Sequence, residues 1–364
     1  MKKKLSLLIA SILLITSATA CKKIPLDEYN ALHSRTYNEG QTTEETNTSA
    51  PSDTHTTATG KPDLTANWST SLTVTGEFSV SESVVTEPPI INVPNFVTGI
   101  QNGVAKYTNA NVMNAENAAI YNIDTGELVY LKEQPKINPT AAVRILAALT
   151  ALNYFGEDEQ ITIGTEVSLS NGTKLKYAKG TVLTLKQAIA ASIVGLKGQG
   201  ANDVAYAIAV NIARAYSKDP DMTDTAAVAA FVNMMKVYAA DKLNLTTFEP
   251  ANPSGYLDSK QNATMRDILT ILAAAAENPT ITDVCAIKTT AAGKTFDPTF
   301  PSSTLADNGG YAFARVDSYW YFYGLYTNKK GERLIIHLSN GTETNSKKDL
   351  AKMLEYAVNG IPLE

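Results

Sequence analysis

The sequence predicts an α+β fold: one antiparallel sheet formed from strands at the two ends of the folded region, with helices on its faces and a helical lobe inserted between them. Three observations point there. β-type segments, each pair joined by a turn, stand at 118–131 and again at 319–338. Helix-patterned segments fill the stretch between, with one more helix closing the chain. The 364 residues are 44% hydrophobic and 18% charged, enough apolar material for a single core of about 200 to 300 residues.

In chain order, Lys2, Lys3 and Lys4 precede an apolar stretch from Leu5 to Ile15, then the small residues Ala18, Thr19 and Ala20, then Cys21. This is the layout of a secretory signal over residues 1–20. Eleven apolar residues fall well short of the roughly 20 that a membrane-spanning helix needs. A Cys directly after a small-residue cleavage site resembles the lipobox of bacterial lipoproteins, which implies lipidation of Cys21 and attachment to the outer face of the cytoplasmic membrane. Ala18 stands where that pattern usually carries Leu, and plain secretion is the alternative. Removing residues 1–20 moves the net charge from −5 to −8, so contact with an anionic membrane has to come from the lipid rather than from charge.

Residues 21–105 are dense in Thr, Ser, Glu, Asn and Pro and show no sustained period, so they read as a lipidated Cys followed by a disordered tether. A flexible chain of that length has an r.m.s. span of about 50 Å. The folded domain is expected over 106–364. It opens with a hairpin (118–123, turn at 124–126, 127–131), where Asp124 and Gly126 supply the turn geometry. Asn138 and Pro139, an N-cap followed by a first-turn proline, start a helix to about residue 155. Further helices are expected at 185–195, 202–216, 224–242 and 264–277. Strands follow at 319–326 and 333–338 around a turn at 328–331, and a last helix at 346–358.

Several segments in that order resemble the penicillin-binding serine D-alanyl-D-alanine carboxypeptidases. Residues 114–130 are similar to the opening hairpin of that family. Asn252-Pro253-Ser254-Gly255-Tyr256 with 262–269 is similar to its Asn-Pro-x-Gly-Leu and Ser-Thr-Ala-x-Asp-Leu segments, and 331–336 to the strand after its third motif. The resemblance runs from about Asn114 to Gly360. It implies a β-lactamase/transpeptidase-like fold, a wall-peptide substrate and no cofactor. The family often carries a C-terminal β-rich domain and an anchor; here Glu364 follows the last helix, so the N-terminal lipid is expected to stand in for that anchor.

The motifs that carry the family's chemistry are altered. The resemblance places a Ser-x-x-Lys at the start of the first core helix, where a nucleophile and its base share one helix face. Ala141 stands at the nucleophile position and Arg144 at the lysine. A methyl group cannot be acylated, and a guanidinium is not a base near neutrality. The Ser-x-Asn motif aligns with Gly200-Ala201-Asn202; Asn202 is kept, and with Asp203 it also reads as a helix N-cap. The Lys-Thr-Gly motif is missing before residue 319, and Arg315 is the nearest cation. Thr173/Lys176, Thr327/Lys330 and Thr344/Lys347 have the nucleophile–base spacing but fall in or beside turn-like stretches, and Lys288-Thr289-Thr290 imitates the third motif too far upstream.

Other chemistries lack support. Only Cys21, Cys285, His33, His55 and His337 could contribute soft metal ligands, too few within the folded region for a zinc site. His337 sits in an alternating strand pattern, and Cys285 has no flanking nucleophile signature. No basic run follows residue 23, which argues against nucleic acid as a partner. The aromatics Tyr311, Tyr319, Trp320, Tyr321, Phe322, Tyr323 and Tyr326 alternate between the two faces of one strand region, so one set can fill the core. The expected function is a lipid-anchored, catalytically inactive homologue of the carboxypeptidases that binds peptidoglycan stem peptides or a wall-assembly protein. Arg144, Asn202 and Arg315 are its candidate binding residues. The alternative is an active serine-type carboxypeptidase with a non-standard nucleophile.

Overall fold

The computed structural model describes residues 94–196, 198–298, 310–316 and 319–363; the export segment, Cys21 and the tether as far as residue 93 lie outside the described residues. In chain order the elements are α1 (Asn95–Asn102), β1 (Asn117–Asn122), β2 (Leu128–Lys132), α2 (Ala141–Tyr154), β3 (Gln160–Thr162), β4 (Val182–Thr184), α3 (Leu185–Ile193) and α4 (Asn202–Ser217). Then come α5 (Asp224–Leu243), α6 (Met265–Ala276), α7 (Pro279–Ala286), β5 (Thr289–Ala291), β6 (Lys294–Phe296), β7 (Gly310–Val316), β8 (Tyr319–Thr327), β9 (Arg333–Thr342) and α8 (Glu343–Asn359).

The main sheet has the order β2-β1-β9-β8-β7 and is antiparallel throughout. The first hairpin therefore pairs with the last strand of the chain, with Asn117 opposite Ser339 and Asn122 opposite Leu334. Strand alternation divides the apolar residues between two cores. Ala119, Tyr121, Tyr321, Tyr323 and Ile335 face the helical side, and Ala118, Ile120, Phe322, Leu334, Ile336 and Leu338 face α8. The predicted α+β class and the alternation of the aromatic strand are both present.

Helix α2 is buried on every side from Ala141 to Ala151, as its Ala/Leu/Ile/Val sequence requires of a helix with no wet face. Capping boxes fix the starts of α3 (Thr184 with Gln187) and α6 (Thr264 with Asp267). Behind the sheet, Asp349 of α8 is fully buried and accepts hydrogen bonds from the Asn114 side chain (2.8 Å) and the Ala115 backbone N–H (2.7 Å), which ties the helix to the lead-in of β1. Asp349→Leu leaves the Ala115 N–H buried without an acceptor. It is expected to lower the unfolding free energy by about 2 kcal/mol, read as a reduced urea midpoint at unchanged slope; an unchanged midpoint refutes this role.

Two expectations are corrected. The fold starts before residue 106: α1 buries Val97 and Ile100 and packs on α6. Arg266 holds its end, donating from Nη1 to the carbonyls of Ile100 (2.5 Å), Gln101 (3.3 Å) and Gly103 (3.0 Å), the acceptors a helix C-terminus leaves open. Helix α2 starts at Ala141 rather than at Pro139, and Asn138 does not cap it. Asn138 Oδ1 instead accepts from the Thr140 N–H (3.2 Å) and from Gln261 Nε2 (3.0 Å).

Candidate functional site

The head of α2 is held from three directions. Thr140, immediately before it, has φ 39° and ψ −117°, a conformation residues with a side chain seldom adopt and one that persists only where the surroundings impose it. From the sheet, the Tyr323 hydroxyl donates to the Pro139 carbonyl at 2.8 Å and lies 2.5 Å from Thr140 Oγ1. The phenol has one proton and spends it on the carbonyl, so Thr140 is the donor in the second bond. Tyr323 is fully buried on β8, and burial pushes its phenol well above the ordinary tyrosine range.

From the other side comes the loop after α5. Asn252 Oδ1 accepts from the Ser254 N–H (3.1 Å) and hydroxyl (2.9 Å), and Asn252 Nδ2 donates to the Tyr256 carbonyl (2.9 Å). This side-chain-to-backbone bonding fixes a tight turn. It delivers Gly255 at φ 73° against the Thr140 carbonyl, where a Cβ would overlap that oxygen. The Asn-Pro-x-Gly pattern thus has a local physical reason: only a residue without a side chain fits.

One helical turn beyond Ala141, Arg144 is 6% exposed. Its Nη1 donates to Asn202 Oδ1 at 2.7 Å and to the Ser254 carbonyl at 3.4 Å. Asn202 Nδ2 continues to the Asn171 carbonyl at 2.7 Å. Arg144 therefore joins α2, the head of α4 and the 252–256 loop. Burial lowers its guanidinium to about 10, with nearby Tyr323 opposing the shift, so it remains protonated at neutral pH. Gly200 packs beside it: a Cβ there would overlap the Ser192 and Ile193 carbonyls and lie 3.0 Å from Arg144 Nε. A serine at 200 does not fit this backbone.

Ala141, Arg144, Gly200 and Asn202 come together at the head of α2. The capping role for Asn202 is corrected: Ala201 is the N-cap of α4 without a side-chain bond, and Asn202 Oδ1 is taken by Arg144. Asp203, its neighbour, accepts from the N–H groups of Leu175 (3.1 Å), Lys176 (2.9 Å) and, within the first turn of α4, Val204 (3.0 Å). Arg315 stands on β7. It pairs with Trp320, three positions along β7 from Ala312, the partner of Tyr323, about 10 Å away at strand rise. The Arg315 side chain lies outside the described residues.

Of the replacement nucleophile pairs, Thr173 and Lys176 are exposed but border the cluster, the Thr173 carbonyl accepting from the Asn202 N–H at 2.8 Å. Thr327 and Lys330 lie at the β8–β9 turn, and Thr344 and Lys347 on α8, on the far side of the sheet from α2. Lys288 pairs with Asp297 (3.3 Å) beside the small β5–β6 hairpin. His337 is fully buried on β9, and Cys285 is buried in α7 with its thiol pushed up by burial. Thr140, Tyr323 and Ser254 are the site residues the sequence reading did not single out. The turn pattern at 252–255 was a visible signal for Ser254, whereas the Thr140–Tyr323 pair spans the chain and carried none.

Comparisons with known proteins agree with this geometry at the level of fold. No family model matches the sequence, and no curated protein matches it. Among solved structures, the Streptomyces K15 DD-transpeptidase is similar at 18% identity and a TM-score of 0.57, over 67% of this chain and 97% of that one. A point mutant of the same enzyme gives 19% and 0.57, over 67% and 98%. An evolved penicillin-binding protein homolog from Mycobacterium tuberculosis gives 18% and 0.53, over 69% and 94%. The chain has the transpeptidase/β-lactamase-like fold.

Proposed function

We propose that the chain is an exported, lipid-tethered protein that binds peptidoglycan stem peptides, or a protein of wall assembly, without forming an acyl-enzyme. The fold is that of proteins named for DD-transpeptidase and penicillin-binding activity. The observation that carries the reading is the methyl of Ala141 at the head of α2, with a protonated guanidinium one turn on. The adjacent Thr140 hydroxyl does not make good the loss: Thr140 is 2% exposed and its proton is engaged by Tyr323. A nucleophile needs an exposed lone pair and a base within reach, and here the adjacent cation is a donor only. The N-terminal tether, attached through Cys21, holds such a domain at the outer face of the cytoplasmic membrane.

Incubation with a fluorescent penicillin is expected to leave the chain unlabelled, while purified wall peptides co-sediment with it. A penicilloyl adduct mapped by mass spectrometry to any Ser or Thr overturns this reading in favour of an active serine-type enzyme, and release of D-alanine from a wall peptide then identifies it as a carboxypeptidase.

A further inference from the structure

From residue 167 to residue 202 the chain has five lysines, Lys174, Lys176, Lys179, Lys186 and Lys197, and no Asp or Glu, although 36 of its 364 residues are acidic. Residues 284–296 repeat the pattern, with Lys288 and Lys294 and no acid. The acidic residues that border these segments are buried or already paired. Glu166 is buried and accepts from the Gly164 N–H, and Asp203 is buried and accepts from the Leu175, Lys176 and Val204 N–H groups. Asp283 pairs with Lys186 (3.1 Å) and Asp297 with Lys288 (3.3 Å).

The fold joins the two segments. Tyr177 Oη donates to the Ala291 carbonyl at 3.0 Å, and Lys294 Nζ lies over the Tyr177 ring, 5.3 Å from its centre. Lys176 and Lys179 are exposed and flank that tyrosine in the chain, and Lys174 opens the same loop with its Nζ on the Val167 carbonyl at 3.1 Å. Among the described residues, Lys174, Lys176, Lys179 and Lys294 have no carboxylate within ion-pair distance. Four ammonium groups on one loop and one hairpin thus make a positive surface on a chain whose net charge is −5.

The chemistry of this surface selects its partner. No arginine occurs between residues 145 and 213 or between 267 and 314, so it lacks the planar fork that grips a single carboxylate. Lysines on flexible stems act as point charges, which suit phosphate from any direction. Charges are felt over only about 8 Å at physiological salt, so a thin chain laid here meets the lysines, whereas a flat membrane also meets the acidic remainder of the protein. Tyr177, with Lys294 over its ring, is no free platform for a nucleobase. We propose that the 174–179 loop and the β5–β6 hairpin bind a linear phosphodiester polymer without bases. This goes beyond the wall-peptide reading and does not rest on it, since that reading is carried by the head of α2.

The test is the fluorescence anisotropy of labelled poly(glycerol phosphate) titrated with the full chain over a range of sodium chloride. The logarithm of the affinity is expected to fall against that of the salt with a slope of about −3, at roughly 0.7 for each of four lysines. Lys176→Gln with Lys179→Gln is expected to halve that slope. Lys329→Gln with Lys330→Gln, the same change of charge on exposed residues at the β8–β9 turn, is expected to leave it unchanged. No binding by the wild-type chain, or equal losses in the two double variants, overturns the proposal. Polyglutamate is expected to bind more weakly; equal binding means that the surface reads charge alone and overturns the choice of phosphate. Vesicles containing phosphatidylglycerol are expected not to sediment the chain. Sedimentation that the Lys176/Lys179 variant loses assigns the surface to a membrane, tighter binding of oligothymidylate assigns it to nucleic acid, and either result overturns the proposal. Failure of polymer binding leaves the wall-peptide reading standing, and failure of wall-peptide binding leaves this one.

Discussion

Gly255→Ala is expected to destabilise the protein by about 3 kcal/mol, roughly 1 kcal/mol for forcing a side chain into φ > 0 and the remainder for crowding. The molecule contains its own control. Gly126, in the β1–β2 turn, has the same φ of 73° but nothing within 4 Å of an added Cβ, whereas at Gly255 the added carbon meets the Thr140 carbonyl. Gly126→Ala thus isolates the conformational part, and the difference between the two variants measures how tightly the 252–256 loop presses on the head of α2. Because Ser254 hands its carbonyl to Arg144, the Gly255 variant should also weaken any ligand binding at that cluster. Urea denaturation of both variants checks the first point. If Gly255→Ala costs no more than Gly126→Ala, the loop does not clamp the helix as described.

The second large effect is a loss of stability in mild acid. His337 is fully buried on β9, its ring 4.6 Å from that of Tyr323. Nδ1 faces the Phe322 carbonyl at 3.0 Å and must be the donor there, which leaves Nε2 to accept from the Ser339 hydroxyl at 3.2 Å. This is a neutral imidazole in a dry core, and burial lowers its pKa to about 3, partly opposed by the Phe322 bond. The unfolded chain takes up a proton as the pH falls below about 6.5 and the folded chain does not. The contribution is therefore complete above pH 6.5 and lost as pH falls from there toward 3, at about 1.4 kcal/mol per unit. Between pH 6.5 and 5, before ordinary carboxylates titrate, the unfolding free energy is expected to drop by about 2 kcal/mol. His337→Gln should flatten that slope. An unchanged slope in the variant means that another group is responsible.

Legibility in the sequence followed the range of the interaction that fixes each feature. The helices α2 to α6 and the strands β1, β2, β8 and β9 carry period and turn chemistry within a few residues, and their expected bounds fall within a few residues of those observed. Ala141 and Arg144 could be placed on one face of one helix because i and i+3 spacing decides it. The three-residue strands β3 to β6 are too short to show a period, and α1 has only Val97 and Ile100 wholly buried in a polar neighbourhood, so none of these was legible. Asn202 looked like a cap because its local sequence permits one; a guanidinium 58 residues earlier claimed its oxygen instead. The Thr140–Tyr323 bond joins residues 183 apart, and nothing at either end announces the other.

The pairing of β1 with β9 has a bearing on how the chain is made. A polypeptide emerging from its N-terminus completes the β1–β2 hairpin first and the centre of its sheet last, since the strand that belongs between β1 and β8 ends only at Thr342. Until then β1 presents an open edge of unpaired amides beside apolar side chains, a state prone to stray strand addition. Contacts this distant in sequence close slowly. Maturation of the fold accordingly waits for the whole polypeptide.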